Sequence, residues 1–178
     1  MRLKLPYNLL LPQLFSLLII LVPVLAATAE QFPGQINSDN INLRQDSTVS
    51  SQTLSLLRKG EKVEVVSESY GWYKIRLPKS APSYVKKDFF ECINYKIIDT
   101  GSPVPSQIKE CTSAKAINDN VNVRLKPSES SAVLGKINKN EVVRVLEEKA
   151  GWLRIEPIQN SFGWVNKKFI DTIPVNKK

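Results

Sequence analysis

The sequence predicts an all-β protein built from two small, similar units. Residues 36–91 align with residues 116–171 after a shift of 80 positions without a gap. Both stretches alternate apolar and polar residues in short segments, and no window after the amino terminus has the period of an amphipathic helix. A small sheet has exposed edges, and closing it into a barrel reduces them. We therefore expect two tandem barrels of about five strands each.

The two repeats match along their whole length. We call residues 36–91 repeat one and residues 116–171 repeat two. Matched pairs include Asp39 with Asp119, Arg44 with Arg124, Ser51 with Ser131, Glu61 with Glu141, Trp72 with Trp152 and Phe89 with Phe169. We therefore expect a duplicated domain, with residues 92–115 as the linker and residues 172–178 as a tail.

Each repeat has the pattern of half-buried strands. The alternating apolar positions of repeat one are Ile41 and Leu43, then Val63 and Val65, then Tyr73, Ile75 and Leu77. Such period-two alternation, bounded by Gly, Pro, Ser and Asn, indicates strands. Gly60 of repeat one becomes Asn140 in repeat two, and these two residue types most readily adopt a positive φ. We predict a turn with a left-handed residue at this position in both repeats.

The amino terminus has the pattern of a secretory signal. Arg2 and Lys4 precede a mostly apolar stretch at 9–25, and an Ala-Thr-Ala site follows at 27–29. A basic region, an apolar segment and a small-x-small site are typical of a cleaved signal helix. We therefore predict a signal peptide at 1–29 and an exported protein that is periplasmic, secreted or cell-wall associated. An uncleaved anchor is the alternative, although no later segment has the ~20 apolar residues of a spanning helix.

Composition restricts the chemistry. The chain has 25 Lys and Arg against 17 Asp and Glu, and it has no histidine. The positive charge favours anionic partners such as acidic wall polymers, and export argues against nucleic acid. Without histidine, Ser-His-Asp and Cys-His sites and imidazole metal sites are excluded. Paired carboxylates remain formally possible, but the acidic residues lie in polar turns and on the polar phase of strands. We therefore expect no enzyme activity, no metal and no cofactor.

The two cysteines lie in the linker. In an exported chain Cys92 and Cys111 are expected to form a disulfide, and two free thiols are the alternative. The bridge would close a loop of about 20 residues, worth roughly 3 kcal/mol in the chain-entropy model. Gly101, Pro103 and Pro105 indicate a largely irregular segment, with one short strand at 93–98.

The ordered motifs of both repeats resemble the bacterial Src-homology-3 domain. They are an Asn-aliphatic-Arg strand, a Ser-rich loop, Lys-(Gly/Asn)-Glu-x-Val-x-Val, Gly-Trp-x-(Lys/Arg)-Ile and a final Gly-Trp-Val. Repeat one departs at its end, where Ser83-Tyr84-Val85 stands in place of Gly163-Trp164-Val165. The resemblance implies SH3-like barrels that are often exported and often in tandem. It also implies modules that direct partner domains to peptidoglycan or hold protein ligands.

The tryptophans lie on the polar phase of their strands. If Tyr73 and Ile75 face a core, Trp72 faces outward, and the same alternation places Trp152 and Trp164 outward. Exposed rings of this kind suit sugars and extended peptides. Alternatively, the glycine before the ring marks a bulge that reverses the phase, or the ring plugs the barrel end. The candidate ligand-binding residues are Tyr70, Trp72, Tyr84, Trp152, Trp164, Asn42, Arg44, Asn122 and Arg124, and a loop-anchoring role is the alternative for the last four.

These observations lead to two functional expectations. The first is an exported, non-enzymatic binding protein that recognises a peptidoglycan peptide or glycan, with no membrane span after signal cleavage. The second is an interaction or adaptor subunit of a cell-envelope complex, in which a polypeptide covers the aromatic faces. Two linked weak sites can act as one stronger site when the ligand spacing matches.

Overall fold

The computed structural model describes residues 31–99 and 107–174. The strands in chain order are β1 (Phe32–Ile36), β2 (Ile41–Arg44), β3 (Thr53–Leu57), β4 (Lys62–Ser69), β5 (Trp72–Arg76), β6 (Tyr84–Lys86), β7 (Phe90–Asp99), β8 (Gln107–Ala116), β9 (Val121–Arg124), β10 (Val133–Ile137), β11 (Val142–Lys149), β12 (Trp152–Ile155), β13 (Phe162–Asn166) and β14 (Ile170–Thr172). Short 3₁₀ turns occupy Lys87–Phe89 and Lys167–Phe169. The all-β prediction is confirmed, and the strands form two sheets of seven.

The two repeats exchange strands. Sheet one has the order β14-β1-β4-β5-β13-β2-β3, and sheet two has the order β10-β9-β6-β12-β11-β8-β7. By sequence β13 and β14 belong to repeat two, yet they lie in sheet one. In the same way β6 belongs to repeat one, yet it lies between two strands of repeat two. The connections 77–83 and 156–161 carry the chain from one sheet to the other, so each sheet contains strands of both repeats.

Equivalent backbone hydrogen bonds join the exchanged segments to their new neighbours. The amide of Lys167 donates to the carbonyl of Gly71, and the amide of Lys87 donates to the carbonyl of Gly151, both at 2.9 Å. These four residues are two pairs of matched positions in the repeats. The exchange is therefore reciprocal and nearly symmetric.

Ion pairs repeat this symmetry on the surface. Lys167 lies 2.7 Å from Glu68, and Lys87 forms the matched pair with Glu148. The hydrogen bond that Lys167 donates to the Glu68 carboxylate is the main cause that raises the pKa of Lys167. Such exposed pairs contribute little to stability, but both join a residue of one repeat to a residue of the other.

The core of each sheet also mixes the repeats. Its most deeply buried positions include Leu43, Ile75 and Val165 in sheet one, and Val123, Ile155 and Val85 in sheet two. Burying a side chain such as Val165 completely is worth roughly 1.5–3 kcal/mol. Repeat two therefore stabilises sheet one, and Val85 of repeat one does the same for sheet two.

Glycine and asparagine occupy turns that require positive φ. Tyr70 and Gly71 have φ of 47° and 80° and form the two-residue loop between β4 and β5; Ala150 and Gly151 do the same between β11 and β12. Positive φ at both loop residues is typical of a type I′ hairpin. The register shifts lie on the neighbouring strand instead, between Val65 and Ser67 in repeat one. The glycine before each tryptophan therefore closes a hairpin and does not mark a bulge.

The predicted left-handed turn before the Glu-x-Val-x-Val strand is confirmed. Gly60 has φ of 85° and Asn140 has φ of 71°. An aspartate that lies two residues before β2 or β9 fixes this turn, since Asp39 accepts a hydrogen bond from the amide of Lys59 and Asp119 accepts one from the amide of Lys139.

The linker segment is more regular than expected. Strands β7 and β8 pair from Phe90 opposite Ala116 to Asp99 opposite Gln107, with register shifts around Asn94. Two paired strands of ten residues each replace the expected single short strand in an irregular segment, because β8 also pairs with β11 and extends sheet two. Cys92 and Cys111 form the predicted disulfide between these two strands. The glycine and prolines of the segment lie outside the described residues.

The signal segment at 1–29 also lies outside the described residues. Along 31–99 and 107–174, no helix has the length and apolarity needed to cross a membrane.

Candidate ligand-binding site

The strand exchange brings together rings from different repeats. On β12 of repeat two Trp152 lies opposite Lys86 of repeat one, and Arg154 lies opposite Tyr84. On β13 of repeat two Trp164 lies opposite Lys74 and Arg44 of repeat one. Tyr84 and Trp164 hold matched positions in sequence, and each is built into the sheet of the other repeat.

Trp152 forms the shared wall of two grooves in sheet two. One groove, of about 370 Å³, is lined by Trp152 with Tyr84, Arg154 and Lys149. The other groove, of about 380 Å³, is lined by Trp152, by Phe89 and by residues of β9 that include Asn122. The Trp152 ring is half-buried, whereas Leu153 after it is buried in the core. The indole is therefore held by the sheet while it remains open to both grooves.

The second groove has a charged rim that depends on the exchange. The Lys86 ammonium of repeat one lies 2.6 Å from the Glu129 carboxylate of repeat two. This hydrogen bond raises the pKa of Lys86 and lowers the pKa of Glu129. In sheet one the matched positions hold Asn166 and Val49, which cannot form an ion pair. The two sheets therefore differ in the polarity of this rim.

Trp72 differs from its counterpart Trp152. It points out of the core cluster, as the alternation predicts, but its side chain is only 9% exposed. It lines a smaller cavity of about 190 Å³ together with Ile41, Val49 and Phe169. The expectation of an open ring at Trp72 is corrected, because these apolar side chains surround it where sheet two has the charged rim.

Arginines of the first strand of each repeat anchor the Ser-rich loops. Arg44 donates to the carbonyl of Ser51 at 2.7 Å, and Arg124 donates to the carbonyl of Ser131 at 2.8 Å. Each guanidinium uses one donor group in this bond and keeps others for a ligand. Asn42 is exposed and accepts a hydrogen bond from Thr53, whereas Asn122 lines the groove beside Trp152.

Tyr70 stands apart from the other candidates. Its side chain is fully exposed at the tip of the β4–β5 hairpin. It lines neither of the two grooves beside Trp152.

The sequence of each repeat taken alone does not indicate the role of several other residues near the site. Phe162 packs under two cations, with the Lys74 Nζ at 4.7 Å and the Arg76 Cζ at 5.6 Å from its ring centre. Lys86 and Glu129 form the rim pair. These contacts join residues of different repeats, so only the knowledge of which strands pair could reveal them.

Two stretches of the chain match the family model described as "Bacterial SH3 domain", at residues 39–91 and 119–171. Both matches fall within the repeats. The first match includes strand β6 and the second includes strand β13, so the family model assigns each exchanged strand to its own repeat in sequence.

A protein of Bacillus subtilis (strain 168), named "Putative N-acetylmuramoyl-L-alanine amidase YrvJ", is 21% identical over 145 residues. The alignment covers 82% of this chain and 26% of that protein, so this chain spans about a quarter of the relative's length. The expectation that the chain has no enzyme activity is contradicted by this relative, which is named as a putative amidase. That expectation is based on the absence of histidine. The absence of histidine excludes only catalytic and metal sites that need an imidazole side chain.

Two solved structures from Trichomonas vaginalis are similar to the chain. That of NlpC2 is 14% identical and matches 80% of this chain and 48% of its own, with a TM-score of 0.26. That of NlpC1 is 13% identical and matches 82% of this chain and 47% of its own, again with a TM-score of 0.26.

Proposed function

Because the chain belongs to the bacterial SH3 domain family, we propose that its two repeats bind peptidoglycan in the cell envelope. The binding serves an N-acetylmuramoyl-L-alanine amidase function, as the name of the Bacillus relative suggests. An amidase of this kind must reach the bond between the glycan and its peptide. A binding unit that holds the wall close raises the local concentration of that bond.

The observation that carries the proposal is the position of Trp152. Its half-buried indole separates two grooves of about 370 and 380 Å³ on one face of sheet two. An extended chain can lie in both grooves and cross the ring between them. A flat apolar face with a polar N–H suits sugars and peptide bonds. Arg154 and Lys149 on one side and Asn122 on the other supply the polar contacts that orient such a ligand.

The proposal is tested by retention of the protein on purified peptidoglycan sacculi. Trp152→Ala is expected to lower retention roughly tenfold or more, because aromatic anchors commonly carry most of the binding energy of a site. Tyr70→Asn is the matched control: it removes a fully exposed ring at a hairpin tip, and asparagine tolerates the positive φ of that position.

Two results would contradict the proposal. One is the absence of retention of the unmodified protein at low salt. The other is equal retention of Trp152→Ala and Tyr70→Asn. If the protein instead co-purified with one defined polypeptide and ignored sacculi, the aromatic faces would belong to a protein interface. Amide-bond cleavage in sacculi is measured in the same samples, because wall binding and amidase activity are separate outcomes.

A further inference from the structure

Trp164 lies directly between two cationic side chains of sheet one. Its cross-strand partners are Arg44 of β2 on one side and Lys74 of β5 on the other. Directly opposed residues share one face of a sheet, and the Lys74 Nζ is 6.0 Å from the Trp164 ring centre. All three side chains are half-buried. We call this set the sheet-one row.

Sheet two repeats the arrangement with other residues. Tyr84 of β6 lies opposite Arg124 of β9 on one side and opposite Arg154 of β12 on the other. These three side chains are also half-buried, and we call them the sheet-two row. In both rows the two cations come from one repeat and the ring comes from the other. The pattern of cation, ring and cation is therefore a product of the strand exchange.

The cations of the rows take no part in ion pairs within the described part of the chain. The ion pairs there use other cations: Arg76, Lys86, Lys87, Lys115, Arg144 and Lys167. In the sheet-one row Arg44 lies opposite Thr53 and Lys74 lies opposite Ser67, so these half-buried charges have lost part of their hydration and gained no carboxylate in return. In the sheet-two row carboxylates are nearer, since Glu147 lies opposite Arg154 and Arg124 helps to lower the pKa of Glu129. An anionic ligand would supply the missing counter-charge.

Part of each row is fixed before any ligand arrives. The hydrogen bonds of Arg44 to Ser51 and of Arg124 to Ser131 hold the two guanidinium groups at matched positions. Because these side chains are already restrained, binding a ligand has a smaller entropic cost. The remaining guanidinium N–H groups can donate to carboxylate or phosphate oxygens.

We propose that the two rows bind an anionic wall polymer, through carboxylate or phosphate groups spaced along it. This inference rests on the proposed function and names the chemistry of its ligand. Two cations on strands separated by a third strand are roughly 10 Å apart at the backbone. They therefore contact successive anionic groups, and the uncharged part between these groups stacks on Trp164 or Tyr84.

Sheet one provides the more cationic row. In sheet two Glu147 lies opposite Arg154 and lines the same groove, whereas Ser67 lies opposite Lys74 in sheet one. The carboxylate of Glu147 opposes an anionic ligand, although Lys149 in that groove offsets it. The sheet-one row is therefore the stronger anion site of the two.

The test compares three wall preparations: untreated sacculi with their attached polymers, the same material with carboxylates converted to amides, and the same material with phosphate polymers extracted. Retention of the protein is expected to fall roughly tenfold on the preparation that lacks the recognised group. Lys74→Gln is expected to weaken retention on untreated material, and Arg154→Gln is expected to weaken it less. Lys59→Gln and Lys139→Gln remove the same charge from exposed turns and are expected to leave retention unchanged.

The outcomes separate this inference from the proposed function. Equal retention on all three preparations would overturn the anionic ligand while leaving wall binding intact. The anionic ligand would also be overturned if Lys74→Gln and Arg154→Gln were retained like the turn variants Lys59→Gln and Lys139→Gln while Trp152→Ala was retained weakly. Loss on the amidated material alone assigns carboxylates, and loss on the extracted material alone assigns phosphates. No retention on untreated material would overturn the proposed function itself.

Discussion

Replacing Gly163 with alanine perturbs a close contact between an exchanged strand and its new neighbour. A Cβ atom at Gly163 would lie 2.6 Å from Cδ1 and 2.9 Å from Cγ of Leu43, and 3.1 Å from the carbonyl oxygen of Arg44. Leu43 is completely buried in the core of sheet one, so it has little space to move. Overpacking of this kind costs about 1–3 kcal/mol.

In sheet two the equivalent contact is made by a different pair of residues. At the matched positions it holds Ser83 in place of glycine and the smaller Val123 in place of leucine, and both are completely buried. Residues 43 and 163 therefore fit each other, and so do residues 123 and 83. Without strand exchange Leu43 would meet Ser83, and Val123 would meet Gly163. One pair would be crowded and the other would leave a void.

The expected magnitudes follow from these contacts. Gly163→Ala should lower the free energy of unfolding by about 1–2 kcal/mol. Alanine also restricts the unfolded chain more than glycine does, and this effect offsets roughly 0.4–1 kcal/mol of the overpacking. Leu43→Val alone should cost about 1 kcal/mol through lost packing. The double variant should resemble Leu43→Val alone, which corresponds to a coupling energy of about 1 kcal/mol or more.

Urea unfolding followed by tryptophan fluorescence measures all three variants. Gly163→Ala combined with Val123→Ala is the control, since these positions lie in different sheets and their effects should add. If Gly163→Ala proved harmless, or if Val123→Ala and not Leu43→Val coupled to it, the exchanged packing would be refuted.

The remaining predictions concern other parts of the fold. Ser83→Ala and Ser161→Ala should each raise the urea midpoint, because both buried hydroxyls lack a hydrogen-bond partner among the described residues and such groups cost about 1–3 kcal/mol; a lower midpoint would contradict this. Replacing Cys92 and Cys111 together with serine should cost about 3 kcal/mol in thermal unfolding, because the bridge closes a loop with a sequence separation of 19; an unchanged melting temperature would count against it. Lys86→Met should raise the pKa of Glu129 measured by NMR, since Lys86 is the main cause that lowers it, whereas Lys167→Met should leave it unchanged. Because the pKa of Glu129 is lowered in the folded state, the contribution of this pair is present above the ordinary pKa of 4.5 and is lost as the pH falls through the folded value.

Much of the architecture could be predicted from the sequence because it depends on local patterns. Period-two alternation predicts Val65 and Ile75 in the core, and both are buried. The exchange of Gly60 for Asn140 indicated a positive φ, and both residues have one. A cysteine pair in a chain with a predicted export signal indicates the disulfide that joins β7 and β8. Each of these inferences needs only neighbouring residues or a single pair.

The strand exchange depends on a choice between two nearly equivalent partners. The alternation of β6 and β13 shows that both are strands, but either could pair with either repeat. Small differences favour the observed choice: the fit of Leu43 to Gly163, and the ion pair of Lys86 with Glu129. These residues are visible in the sequence, but their meaning appears only when both pairings are compared. The pairing of β7 with β8 is more extensive than the sequence predicts, because β8 is also stabilised by pairing with β11.

The burial of Trp72 could not be predicted from its phase. Alternation places Trp72 and Trp152 on the outer face alike, but the surrounding residues differ between the sheets. Val49 lies beside Trp72 where Glu129 lies beside Trp152, and Asn166 stands where Lys86 stands. These differences come from side chains on other strands, including the exchanged ones.

The central claim is that each candidate site is assembled from both repeats. Cross-strand backbone NOEs in isotope-labelled protein test it most directly, because opposed residues in antiparallel strands bring their backbone protons close together. The exchanged fold predicts NOEs between Lys74 and Trp164 and between Arg154 and Tyr84. NOEs between Lys74 and Tyr84, and between Arg154 and Trp164, would place each strand in its own repeat and contradict the claim.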